Sequence, residues 1–130
     1  MSHFSTIKTQ LKEAEQLIKA LNNLGYPITQ EEKFVKGYRG KFTDVDISMD
    51  LPNETKVGFK WDNNSNAYEL VTDLDLWKFE IPVERFISKV TQMYAYHTII
   101  SKTNEDGYQI VEHKNKNDGS IELGLTKWDN

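Results

Sequence analysis

The sequence predicts an α+β fold in which a mainly antiparallel, twisted sheet of about six or seven strands carries two helices on one face. Three observations predict it. Apolar residues recur at spacings of three and four over residues 10–24 and 82–108, the period changes to two between them, and a hairpin signal follows the second helical segment. That second segment organises the rest: Val83, Phe86, Ile87, Val90, Met93, Tyr94, His97 and Ile100 fall on one broad helical stripe. At 130 residues, the chain reads as a single domain, residues 1–130, around one core.

In chain order, the β-formers Phe4, Thr6 and Ile7 predict a strand over residues 3–8, with Thr9 placed to cap the helix that follows. Over residues 10–24, Leu11, Ala14, Leu17, Ile18, Leu21 and Leu24 line one face, and Lys12, Glu13, Glu15, Gln16 and Lys19 the other. Gly25 suits the left-handed residue that stops this helix, and Pro27 prevents its restart. Strands over 32–38, 44–50, 56–61 and 67–71 then read as a four-strand meander. In the second of these, Val45, Ile47 and Met49 alternate with Asp44, Asp46, Ser48 and Asp50; in the third, Val57, Phe59 and Trp61 alternate with Lys56, Gly58 and Lys60. This alternation is that of a sheet with one solvated face.

Residues 72–81, with Leu74, Leu76, Trp77 and Phe79, cross from sheet to helix and cover a core edge. Pro82 suits the first turn of the long helix, and Glu84 complements its positive end. Two further strands over 108–113 and 120–128 are joined through Asp118-Gly119, a strong hairpin dipeptide. Gly25-Tyr26 and Gly107-Tyr108 each close a helix and lead toward a hairpin, which suggests two helix-hairpin units related by a pseudo-two-fold axis.

Composition bounds the function. Acidic residues outnumber basic ones, for a net charge of -4 with the signs interleaved, which argues against a dedicated nucleic-acid or anionic-membrane surface. The absence of cysteine removes disulfides, thiolate metal sites and a Cys nucleophile. No apolar run reaches the length of a membrane span and the start lacks a secretory pattern, so the chain reads as soluble and unprocessed. It has no phosphate-cradling glycine loop, nucleophile elbow, HExxH or EF-hand, and no two carboxylates are marked as sharing a cleft. No catalytic residue, metal ligand or cofactor is assigned.

The candidate residues each admit two readings. His97, on the apolar stripe beside Tyr94, reads as an acid, base or ligand lining a pocket between sheet and long helix, or as a core histidine. Tyr38, Arg39 and Lys41 around Gly40 form a basic and aromatic turn suited to phosphate, RNA or an acidic protein, or a plain turn. Trp77 on the crossover and the edge strands are further contact candidates. The row of Asp44, Asp46, Ser48 and Asp50 reads as a cation or partner site, or as a solvated strand face. His3 is a terminal copper or nickel ligand only if Met1 is retained.

Four segments carry a resemblance: the opening Met1-Ser2-His3-Phe4-Ser5-Thr6-Ile7-Lys8-Thr9, Leu24-Gly25-Tyr26, Tyr94-Ala95-Tyr96, and Asp118-Gly119-Ser120-Ile121 through Trp128. Together they resemble the hypothetical plastid open reading frame number thirty-five family, small proteins of unknown function from cyanobacteria and algal plastids. The resemblance runs over essentially the whole chain and supplies no catalytic residue. It implies a cytoplasmic or stromal setting in a photosynthetic cell or its virus. Because some relatives look to be encoded beside AAA-type ATPases, it also implies an adaptor or assembly role by association.

The leading expectation is therefore a non-catalytic interaction protein bound to a larger, ATPase-linked or photosynthetic complex. The alternative is a small-ligand or cofactor-binding protein, an enzyme included, with its pocket at the Tyr94–His97 face. A weaker alternative is RNA stacked on the sheet face, permitted by Lys56 and Lys60 and opposed by the net acidity.

Overall fold

The computed structural model describes residues 4–29, 33–115 and 121–127. It is an α+β arrangement of antiparallel strands and two helices, as the period changes predict. The elements are β1 (Phe4–Lys8), α1 (Ala14–Asn23), β2 (Phe34–Lys36), β3 (Phe42–Asp44), β4 (Ile47–Leu51), β5 (Thr55–Asp62), β6 (Ala67–Asp73), α2 (Val83–Glu105), β7 (Tyr108–Asn115) and β8 (Ile121–Lys127). A four-stranded sheet has the order β1-β6-β5-β4, while β2-β3 and β7-β8 are two-stranded ribbons. The expected Asp118-Gly119 turn and His3 lie outside the described residues.

Both helices pack on one face of the four-stranded sheet. Leu17 and Leu21 of α1, Phe86 and Val90 of α2, and Val57 and Phe59 of β5 meet there, each no more than 1% exposed. The helix α2, roughly 35 Å long at 1.5 Å per residue, is buried mainly at its start: Val83, Phe86 and Val90 are in the core, and beyond them only Thr103 is buried. Tyr94, His97 and Ile100 are half-buried. Pro82 stands just before the helix as its N-cap residue, where its missing N–H costs nothing.

The helix α1 starts four residues later than its apolar pattern. Residues 9–11 are instead tied to the sheet: the Thr9 hydroxyl donates to the Tyr68 carbonyl at 2.6 Å, and Tyr68 N–H donates to the Leu11 carbonyl at 2.8 Å. Leu11 is buried without being helical. The helix end follows the sequence closely, with Gly25 at φ 87° and the same left-handed closure at Gly107, φ 86°. Among the described residues, Gly25 is followed by an isolated bridge, Ile28 to Met49, and then by β2, whereas Gly107 leads directly into β7.

The middle strands depart from a simple meander. The strand beside β6 is the N-terminal β1, with Thr6 opposite Val71, and the β2-β3 ribbon leaves the sheet altogether. It folds across the second sheet face, where Val35, Val45 and Val71 form a small core with Phe4. Gly58 lies directly beneath: a Cβ built there would come within 2.7 Å of methyls of both Val35 and Val45. The face expected to be solvated is thus partly covered. Val45 belongs to this second core and not with Ile47 and Met49, because the chain turns over at Asp46, whose carboxylate accepts from Trp61 N–H at 2.7 Å.

Candidate functional site

Residues 33–42 carry Lys33, Lys36, Arg39 and Lys41 and no carboxylate, in a chain whose net charge is -4. The structure folds them into the β2-β3 ribbon and its tip. Gly37 N–H donates to the Lys41 carbonyl at 2.6 Å, Val35 faces Thr43, and Val45 N–H donates to the Lys33 carbonyl at 2.9 Å. Strand alternation then turns Val35 onto the sheet, where it is buried, and leaves Phe34, Lys36 and Phe42 exposed. Phe42 is 64% exposed, Tyr38 47% and Phe34 39%. All three large rings lie within the basic segment.

The tip is a short 3-10 turn, Tyr38–Gly40, in which Arg39 adopts φ 57° and Gly40 φ 74°. Two consecutive left-handed residues throw the Arg39 guanidinium back over its neighbour's ring, 5.3 Å from the Tyr38 centroid. At this exposure the cation–π contact contributes about 0.5–1 kcal/mol, enough to bias the two side chains into one shared surface. Beneath the tip lies Asp73, only 3% exposed. Its carboxylate accepts from Tyr38 N–H at 3.3 Å and from Asp75 N–H at 3.0 Å, so one buried acid holds the tip against the end of β6. Gly37 sits over Phe4 and this same carboxylate, with no room for a side chain.

A cleft of about 590 Å³ opens beside the ribbon. One wall is Phe34, Lys36 and Phe42; the floor is Ser48, Asp50 and Lys56 of β4 and β5. Phe34 and Phe42 meet at 5.4 Å with planes tilted 55°, and Lys56 bridges to Asp50 at 2.7 Å. Lys36 has no ion-pair partner among the described residues.

Other sequence candidates are placed elsewhere. The Tyr94 hydroxyl accepts from the N–H groups of Lys12 and Glu13 at 3.2 and 3.0 Å, fixing the approach to α1 onto α2. The Trp77 indole N–H donates to the Ile81 carbonyl at 3.0 Å, and its ring packs 6.0 Å from Phe86. The expected acidic row is dispersed: Asp44 is in β3, Asp46 binds Trp61 N–H, Ser48 is buried, and Asp50 pairs with Lys56. Among the described residues no cluster of metal-binding side chains occurs.

His97 stands 5.3 Å from the Tyr96 ring, and its Nε2 is buried with no hydrogen-bond partner among the described residues. Burial, aided by the charge of Lys19, holds its pKa below the ordinary 6.5. Between 6.5 and that lower value the unfolded chain takes up a proton that the native chain refuses. Stability from this site is therefore complete above about pH 6.5 and is lost as pH falls through the native value. Thermal melts are expected to decline on acidification below that point, and His97→Leu to flatten the decline; an unchanged slope in the variant would refute it.

Phe34 and Phe42 are the residues that sequence reasoning missed, together with Asp73. Phe34 reads as an ordinary apolar position of the expected strand over 32–38, and Phe42 falls between the turn and the strand over 44–50. The signal that marks them is the run of cations around them, read against the acidic balance of the whole chain.

Residues 20–124 match the family described as "Protein of unknown function (DUF1257)". The "Uncharacterized protein ycf35" of Guillardia theta is 39% identical over 128 residues, 98% of either chain. The proteins of the same name from Pyropia yezoensis and Cyanophora paradoxa are 35% and 32% identical, again over 98% of either chain. These relatives bear the name of the plastid family that the sequence resembles. No solved structure matches the chain. No described helix is long and apolar enough to cross a membrane.

Proposed function

The chain belongs to the DUF1257 family, and for this member we propose a non-catalytic interaction role, in which the β2-β3 ribbon docks on an acidic surface of a larger protein complex. The observation that carries the reading is the exposure of Phe34, Tyr38 and Phe42 among Lys33, Lys36, Arg39 and Lys41, for which no ion pair occurs among the described residues. Tyr and Arg are enriched at energetic centres of interfaces, and buried rings supply affinity while complementary charge supplies rate and specificity. Tyr38, Arg39 and Lys41 make first contact at the tip. Tyr94, His97 and Trp77 serve the fold in this reading. The close packing of Leu17, Leu21, Phe59, Phe86 and Val90 under the start of the long helix supports this reading over the alternative of a ligand pocket at the Tyr94–His97 face. The setting is the stroma or cytoplasm of a photosynthetic cell or its virus, and an AAA-type ATPase assembly is one candidate complex.

The test is a nuclease-treated pull-down from the photosynthetic host, with native mass spectrometry of the eluate. The wild type is compared with a Tyr38→Ser, Arg39→Asn, Lys41→Glu variant, Asn being tolerated at the left-handed Arg39 position. Recovery of one defined assembly, reduced about tenfold in the variant, is the expected result. An undiminished assembly, or a lone protein carrying a stoichiometric small molecule, would overturn the reading.

A further inference from the structure

We infer that the cleft between the ribbon and the β4-β5 floor is a socket for a short acidic segment of the partner protein, seated by one apolar or aromatic side chain against Phe34 and Phe42. This deepens the proposed interaction role and rests on it. Three features of the cleft converge on that occupant.

The first is shape. Phe34 and Phe42 pack against each other at 5.4 Å, tilted by 55°, which makes one angled apolar wall and not a coplanar platform. A single side chain can lie against such a wall, with burial worth roughly 25 cal/mol per Å². Stacked nucleobases need an open ring face instead. At about 590 Å³, the cleft has the capacity of an ordinary ligand site.

Charge is the second feature. Lys36 stands on the wall with no ion-pair partner among the described residues, and Lys33, Arg39 and Lys41 extend the positive field along the ribbon. Asp50, the one floor carboxylate among the described residues, is already bridged by Lys56 at 2.7 Å. An arriving carboxylate thus finds Lys36 open and Lys56 able to share. A nucleic-acid backbone would carry its phosphates past Asp50 and past Asp44, which lies opposite Phe34 in the ribbon.

The third feature is rigidity. The wall cannot swing away, because Val35 is locked over Gly58 and the tip is held by Asp73. A preformed socket loses little conformational entropy on binding. Short acidic segments, which are commonly disordered when free, must bear their own ordering cost.

A random-peptide phage library selected on the full chain tests the inference, with enriched sequences remade as fluorescein-labelled peptides and measured by anisotropy. Enriched peptides are expected to surround an aromatic or aliphatic residue with Asp and Glu. Their affinity is expected to fall about tenfold in Lys36→Glu and in Phe42→Ser and to weaken with salt. Both side chains are exposed, so these variants should keep the wild-type melting temperature. Enrichment without acidic excess, affinity indifferent to both variants, or tighter binding of an oligouridine RNA would each overturn the socket. The host pull-down separates the two levels: an assembly lost from the tip variant but kept by both cleft variants refutes the socket alone, and one kept by all refutes the docking role as well.

Discussion

Phe86→Ala is expected to cost about 3–5 kcal/mol, the range for deleting a buried aromatic ring. Phe86 is 1% exposed, and its ring lies 5.9 Å from Tyr26, 6.0 Å from Trp77 and 6.4 Å from Phe79. It therefore joins three stretches of chain: the segment after α1, the crossover into α2, and α2 itself. Truncation removes the shared partner of all three rings, and the surrounding sheet cannot collapse into the void. Against a total stability of roughly 5–15 kcal/mol for a domain of this size, that is a large fraction. Urea titration should show a lower midpoint with a similar slope. A loss below about 1 kcal/mol would mean that this aromatic cluster does not carry the core.

Gly58→Val is expected to destabilise by about 1–3 kcal/mol or more, the usual cost of forcing methylenes into a filled core. Steric exclusion is the cause here, not backbone conformation. A Cβ at position 58 would approach methyls of Val35 and Val45 at 2.7 Å, and β-branched valines have little rotamer freedom with which to retreat. The strain is relieved only by lifting the ribbon from the sheet. The variant should therefore lose stability and also the peptide binding assigned to the cleft, since Phe34, Lys36 and Phe42 would no longer be held over Asp50 and Lys56. Differential scanning calorimetry reads the first effect and anisotropy the second. A variant that melts like wild type would show that the ribbon is not packed down on Gly58.

The Gly58 experiment bears on function because the ribbon does not stand alone. Three-residue strands such as β2 and β3 are too short to be stable as an isolated hairpin. Their geometry is supplied by Val35 in the second core and by Asp73 under the tip. Loss of either support should therefore disperse the exposed rings and cations before the helical face of the core is affected.

The sequence by itself determined what is local. Helical periodicity placed the main body of α1 and α2, Gly25 and Gly107 marked both helix ends, and period-two alternation marked β5. Each signal depends on residues a few positions apart, and nearby residues meet in any fold that keeps the element. The basic and aromatic turn at Tyr38–Gly40 was legible for the same reason, its chemistry being contiguous in the chain. Tertiary structure alone decided which elements adjoin. Nothing in the pattern of residues 3–8 says that β1 pairs with β6, because alternation fixes which side chains share a face and not which strand lies alongside. Val45 shows the limit of that rule: it is in phase with Ile47 and Met49 in sequence, yet the turn-over at Asp46 sends it to the opposite face. The cleft has the same origin. Phe34 and Phe42 become a wall, and Asp50 and Lys56 a floor, only because a glycine at position 58 lets the ribbon lie down on the sheet.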